Sequence, residues 1–284
     1  MGKLNTLLNF VKIFFQNKKA LIGSIIFLFF VFIAIFAPLI APYSPQEMGL
    51  APLQKPNNQH LFGTTIFGED IFSMVVWGTR TTLFVGLVTG LITTTIAVTI
   101  GLVSGYMGGK TDSVLMAIAN IFLVIPNLPL MIIIASFVVI KGVGLIIFVI
   151  AITGWAWGSR VLRSQTLSLK NRDYVKASVI VGESNAHIIF SDIFPNMLSL
   201  IVANYFNAAL FAILSEAGLE FLGLGDVNVV SWGTILYWAQ NSNAMLYGSW
   251  PWILVPGICI SLLGSSFALM NFAVDELTNP KLRR

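Results

Sequence analysis

Residues 172–196 read RDYVKASVIVGESNAHIIFSDIFPN. The stretch carries Arg172, Asp173, Lys176, Glu183, His187 and Asp192, and the chain on either side is too apolar for an ordinary soluble surface. A charged segment between two membrane-length apolar runs must sit in water, and its cations predict the cytoplasmic side. Tyr174, Val175, Ala177 and Val181 share one broad helical face with the small Ser178. Gly182 then interrupts the helical pattern. Ile188, Ile189, Ile193 and Phe194 resume a second apolar face, and Pro195 marks the turn into the next membrane segment. A short helix, a break and a second short helix on the cytoplasmic face make a docking surface for another protein.

Composition sets the surroundings of that loop. Of 284 residues, 56% are hydrophobic and only 10% charged, and the mean hydropathy is +0.86. A soluble domain carries about 25% charged residues. The expected class is therefore an all-α integral membrane protein that crosses the bilayer several times. The net charge of +4 is accounted for by loop cations that set topology, so it does not point to nucleic acid. The single cysteine, Cys259, lies in an apolar run and reads as a small buried residue. His60 and His187 are far apart with no ligand partners at metal spacing, so no metal site is expected from this chain alone.

Six apolar runs follow in order. Before them, residues 1–19 place Leu4, Leu7, Leu8, Val11, Phe14 and Phe15 at helical spacing among lysines, an amphipathic stretch suited to a membrane surface. The first span covers about Leu21 to Leu39 and lacks a small-x-small cleavage site, which favours an uncleaved anchor over a signal peptide. A polar loop rich in Pro, Asn and Gly runs from Pro42 to about Gly78. The second span is expected at Leu83 to Val103, and the third at Val114 to Ile140, kinked by Pro126 and Pro129. The fourth covers about Leu145 to Trp157 and continues to Arg160 and Arg163. The fifth begins near Met197, and the sixth runs from Trp252 to Phe272 after an outer loop reaching Gly248. The division expected is an N-terminal unit, 1–78, and a five-helix core, 79–284, with the cytoplasmic loop at 164–196.

Polar groups inside these runs are the candidates for a translocation path. Asn120 either bonds across helices or faces a path. Asn207 and Asn204 lie in the fifth span together with Glu216. An ionisable group near a span is a functional candidate by default; the competing role is a carboxylate hydrated at the outer surface or locking two helices. Gly109-Lys110-Thr111 suggests a phosphate-binding loop. However, position 104 is Ser104 where that motif needs glycine, and a membrane helix rather than a strand precedes it, so nucleotide binding here is excluded. Glu216 has no evident His or Lys partner, so an intramembrane enzyme has no nucleophile–base pair and no catalytic residue is assigned.

Charge distribution checks the topology. With the amino terminus inside, six spans put both termini, the 104–112 turn and the 164–196 loop in the cytoplasm. Those regions hold 13 of the 16 cations, leaving Lys55, Arg80 and Lys141 outside.

Several motifs resemble one family. Lys176-Ala177-Ser178, Gly182 and Ile193-Phe194-Pro195 resemble the E-A-A, glycine and apolar-apolar-proline pattern of the cytoplasmic loop in ABC importer permeases, with the first and third residues of the triplet departing from it. The string from His60 to Ser73, followed by Gly78-Thr79-Arg80, resembles H-x-L/F-G-T-D-x-x-G-R-D-x-x-S and G-x-R of the second permease in peptide and nickel importers, with Thr65 in place of Asp and Glu69 in place of Arg. Gly105-Tyr106-Met107-Gly108-Gly109 resembles the family's G-Y-x-G-G turn. Ala212 to Gly225 resembles A-I-L-x-E-A-x-L-S-F-L-G-L-G, with Glu220 replacing the serine.

The resemblance implies a type I ABC importer permease of the peptide/opine/nickel branch, dipeptide- and oligopeptide-permease C-subunit type, in the cytoplasmic membrane of a prokaryote. It implies alternating access with a homologous second permease, two cytoplasmic ATPase subunits and an extracytoplasmic solute-binding protein. ATP and Mg would be bound by the ATPases, leaving no cofactor in this chain. Tyr174, Lys176, Ala177, Ser178, Gly182, Glu183, Phe194 and Pro195 become the candidate ATPase-coupling residues, and Asn120, Asn207 and Glu216 the candidate path residues. Short peptides are the expected cargo, with oligosaccharides or nickel as alternatives on the same machinery. An ATP-independent secondary transporter is the alternative of another class. It would be favoured by paired broken helices in inverted halves, and no such repeat is visible.

Overall fold

The computed structural model describes residues 16–48 and 51–278, with side chains described to Val274. The amphipathic stretch of residues 1–19 and the tail after Thr278 lie almost wholly outside them. Every regular element among the described residues is helical. Helix α1 is Lys18–Ile40, α2 Ile71–Met107, α3 Gly109–Val124, α4 Asn127–Phe137, α5 Val143–Lys170 and α6 Asp173–Val181. A helical path from Asn185 through Met197 leads into α7, Leu198–Phe221. Helix α8 is Trp232–Asn241 and α9 is Pro251–Thr278.

Five helices are individually long and apolar enough to cross a membrane, and α3 with α4 makes a sixth crossing if the bent pair is one span. Five of the expected six spans are thus single helices and the third is a bent pair, and three of the six differ in form. Helix α2 starts twelve residues before Leu83, because Asp70 caps it by accepting a 2.8 Å bond from Ser73 N–H. At 37 residues it is about 55 Å long and extends past a hydrocarbon layer of about 30 Å. The third span is not a kinked helix. Its halves meet at 92°, because Pro126 forces Ile125 into the extended region (φ −78°, ψ 128°) and ends α3 there. Pro195 marks the entry to the fifth span as expected, at the start of a 3-10 turn, Phe194–Met197, but a π-helical stretch, Ile188–Ile193, precedes that turn, so the path into the span stays helical. The segment after Gly225 also contains α8, which the sequence reading left unassigned.

Helix α2 is the spine, packed along α5 and α7, while α9 packs on α7 and α1. Close approach of α2 and α5 depends on Gly101 and Gly105. A Cβ at Gly101 would stand 2.7 Å from Leu162 Cβ, and one at Gly105 2.7 Å from Thr166 Cβ. The largest core cluster gathers Phe30 of α1, Ile71 and Leu83 of α2, Ile213 of α7, Trp232 of α8 and Phe267 of α9. Trp232 is fully buried, meets Phe30 edge-on with centroids 5.3 Å apart, and donates its indole N–H to Val75 O at 3.0 Å.

The segment between α1 and α2 is ordered by its own polar groups. His60 Nδ1 lies 3.0 Å from Asp70 Oδ1 in a buried pair, and Thr64 Oγ1 donates to Ala51 O at 2.7 Å. Gln46 reaches across to Asn228 O at 2.6 Å, joining this loop to the segment before α8.

Candidate functional site

Two surfaces carry most of the candidate residues. The first is the polar excursion between α5 and α7. Val175 is its anchor, buried in a cluster with Leu102, Tyr106, Leu162, Leu169, Ile188, Ile193 and Met197. Tyr106 O–H donates to Asn185 Oδ1 at 3.2 Å, and Lys170 Nζ donates to Tyr106 O at 2.6 Å. These contacts seat the excursion against the ends of α2 and α5. Helix α6 stops at Gly182, whose φ of 88° is left-handed, and the Gly182 N–H bonds Val179 O at 3.1 Å. Ser184 then caps the following turn by accepting from His187 N–H at 3.2 Å. Helix, break and helix thus occur at the expected positions.

The outward face differs from the expected one. Tyr174, Lys176, Ala177, Gly182 and Glu183 are exposed, whereas Ser178, Phe194 and Pro195 are half-buried. Val179, Ile180 and Val181 are exposed as well, Ile180 at 85%. Sequence reasoning put Val181 on an apolar face and passed over Val179 and Ile180. Three consecutive apolar residues fit no single face, and that run was itself the available signal.

The second surface is a cavity of about 310 Å³ between α2, α3, α4, α5 and α7. Asn207 lines it, together with Asn127, Asn204, Trp155 and Phe211. Asn120 lies elsewhere: it is exposed on α3 and accepts a 2.7 Å bond from Arg160. One helical stretch away, Arg163 clamps Asp112 through two 2.5 Å bonds, so α3 is tied to α5 at two levels.

Glu216 lines neither surface. It is 0% exposed, and Thr82 Oγ1 of α2 donates to its Oε1 at 3.1 Å. The same Thr82 oxygen accepts from Trp232 N–H at 3.2 Å. One turn on, Glu220 is 2% exposed and accepts a short bond from Ser231 Oγ, the cap of α8. The two carboxyl groups and three hydroxyl-bearing or ring residues form a polar knot joining α2, α7 and α8. The three expected path residues are therefore not brought together: one lines the cavity, one pairs with an arginine and one sits in the knot.

A helical bundle with several membrane-length apolar spans and a polar excursion between two of them is that of a multi-pass membrane protein. The chain belongs to the family described as binding-protein-dependent transport system inner membrane component, which it matches over residues 97–283. Residues 7–59 match the N-terminal TM domain of oligopeptide transport permease C. Among its relatives, the oligopeptide transport system permease protein OppC of Bacillus subtilis is 36% identical over 274 residues, covering 95% of this chain and 88% of that one. The dipeptide transport system permease protein DppC of the same organism is 34% identical, covering 95% and 84%. DppC of Haemophilus influenzae is 34% identical, covering 95% and 93%.

Proposed function

We propose that this chain is one of two permease subunits of a peptide importer in the cytoplasmic membrane of a prokaryote, with both termini in the cytoplasm. A homologous permease completes the path. Two ATPase subunits bind ATP and Mg and dock on the excursions. A solute-binding protein delivers short peptides to the outer face, and the chain itself carries out no chemistry and holds no cofactor. The names of its relatives support peptides over oligosaccharides or nickel.

The observation that carries the reading is the projecting α6. A short helix with exposed Ile180 and Val181, mounted on α2 and α5 through Val175 and Tyr106, is built to receive another protein and pass on its motion. Closure of an ATPase pair on ATP would push α6 as a rigid body and, through it, the ends of α2, α5 and α7. The asymmetry of the two ends agrees with this direction, since the excursion carries Lys170, Arg172 and Lys176 while the Pro42–Gly78 loop carries only Lys55.

The test is purification from native membranes in mild detergent, with mass spectrometry of the co-purifying chains. A second permease and one or two ATPase chains are expected, and these should be lost from an Ile180→Asp/Val181→Asp double variant. A stable homo-oligomer with no ATPase would refute the reading.

A further inference from the structure

The cavity beside Asn207 has a chemistry of its own. Its wall is shaped where α5 lets α7 side chains come close. Gly154 and Gly158 fall one turn apart on the wall. A Cβ at Gly158 would collide with the Asn204 side chain, and one at Gly154 would come 3.1 Å from the Phe211 ring. Asn204 is held by Thr94 through a 3.4 Å contact from its Nδ2. No ionisable side chain lines the space.

One group there is aimed at nothing in the protein. Thr93 is 3% exposed, and its Oγ1 has no hydrogen-bond partner among the described residues. Helical threonines ordinarily bond a carbonyl one turn back, as Thr95 does to Leu91 O at 2.8 Å and Thr99 to Thr95 O at 2.8 Å. A buried hydroxyl left without a partner is costly, so its occurrence on a cavity wall points to a polar occupant.

We propose that this cavity is a substrate subsite for the uncharged backbone amide of a passing peptide, with Thr93, Asn127 and Asn207 as its hydrogen-bonding groups. The inference rests on the peptide-importer reading and deepens it. A carboxamide side chain offers both a donor and an acceptor, which matches the N–H and C=O of a peptide unit; Asn207 Oδ1 also accepts from Asn271 Nδ2 at 3.4 Å, which leaves its NH2 and one lone pair for a ligand. The rings of Trp155 and Phe211 supply apolar walls for side chains of varied shape. An ion entering such a space would need a paired charge, and the lining provides none. The site therefore reads the backbone that all peptides share and offers no partner to a charged side chain. Its size is at the small end of ligand pockets, which fits a short segment of chain rather than a whole oligopeptide.

The experiment uses the complete importer in proteoliposomes with its own binding protein, and measures ATP-dependent uptake of radiolabelled Ala-Lys-Ala and Ala-Asp-Ala. Each variant is compared with the wild type as a ratio of the two rates, so selection by the binding protein cancels. Asn207→Asp should shift the ratio toward the lysine peptide by roughly tenfold, the scale of one new charge contact in a partly hydrated cleft. Asn127→Asp should shift it in the same direction. Asn127 is exposed at the start of α4, where a carboxylate is well tolerated, so this variant guards against misfolding of the first. Ratios unmoved in both assembled variants would overturn the subsite. Uptake of maltotriose in place of either peptide would overturn the amide assignment. Absence of ATP-dependent uptake by the wild type would instead refute the importer reading beneath it, a failure read without any variant.

Discussion

Replacing Gly182 separates backbone strain from docking. The residue sits at φ 88° and ψ 21°, closing α6. A Cβ built there meets nothing within 4 Å, so in the subunit itself any cost of Gly182→Ala comes from the left-handed backbone. That cost is about 1–2 kcal/mol for an L-residue, a factor of roughly 5–30 in the population of the closed turn. Asparagine tolerates this region and should recover most of it; valine, branched at Cβ, should fare worse than alanine. The direct assay is hydrogen exchange of the 173–183 peptide, because the Gly182 and Glu183 N–H groups bond Val179 O and Ser178 O at 3.1 Å each. Protection should fall in the order Gly, Asn, Ala, Val. Gly182→Trp adds bulk on the exposed side and should leave the subunit inserted while uncoupling uptake from ATP hydrolysis. Equal loss of protection in the asparagine and valine variants would refute the backbone account, and unchanged transport in the tryptophan variant would refute docking at this face.

Three further outcomes are expected. Gly105→Val places atoms where Thr166 Cβ and Arg163 O already stand, at 2.7 and 2.9 Å from a Cβ; overpacking of this kind costs about 1–3 kcal/mol and should lower the melting temperature in detergent. Ser231→Ala removes the hydroxyl that donates to buried Glu220 and caps α8, a loss of about 1–3 kcal/mol, visible as early proteolysis between 226 and 241. Burial raises the carboxyl of Glu69 above its ordinary value, with the Thr65 hydroxyl opposing the shift. A raised folded value means the folded state holds its proton more tightly, so the penalty appears as pH rises through the ordinary carboxylate value and is complete above the raised one. Glu69→Gln, which can keep the 3.0 Å bond from Thr65, should therefore stabilise the protein at pH 7 and be neutral near pH 4 in a thermal-shift series.

The six apolar runs were legible because a membrane span is a matter of length and composition, and the break at Gly182 because left-handed turns select glycine. The early start of α2 was signalled by Asp70 and Ser73 but obscured by the polar string before it. Helix α8 was harder to see: its capping box uses Thr234 where Glu or Gln is usual, and Gly233 weakens a ten-residue helix. Pro126 was read correctly as a disturbance, but whether proline kinks a helix or ends it depends on what packs beside it. The fate of Glu216 was not legible, since the Thr82 hydroxyl that meets it lies 134 residues away in sequence.

The right-angled elbow at Ile125 and Pro126 bears on the life of the subunit in the cell. A helix that stops within an apolar span leaves its last carbonyls without intrahelical partners, and hydrocarbon offers none. Around the elbow, Val124, Ile125 and Leu128 are exposed, so neither lipid nor water suits this side of the chain. In the proposed importer, a second permease would cover this side. The subunit should then be short-lived when made in excess of its partner, and membrane proteases would set the stoichiometry of the importer by clearing unpaired copies.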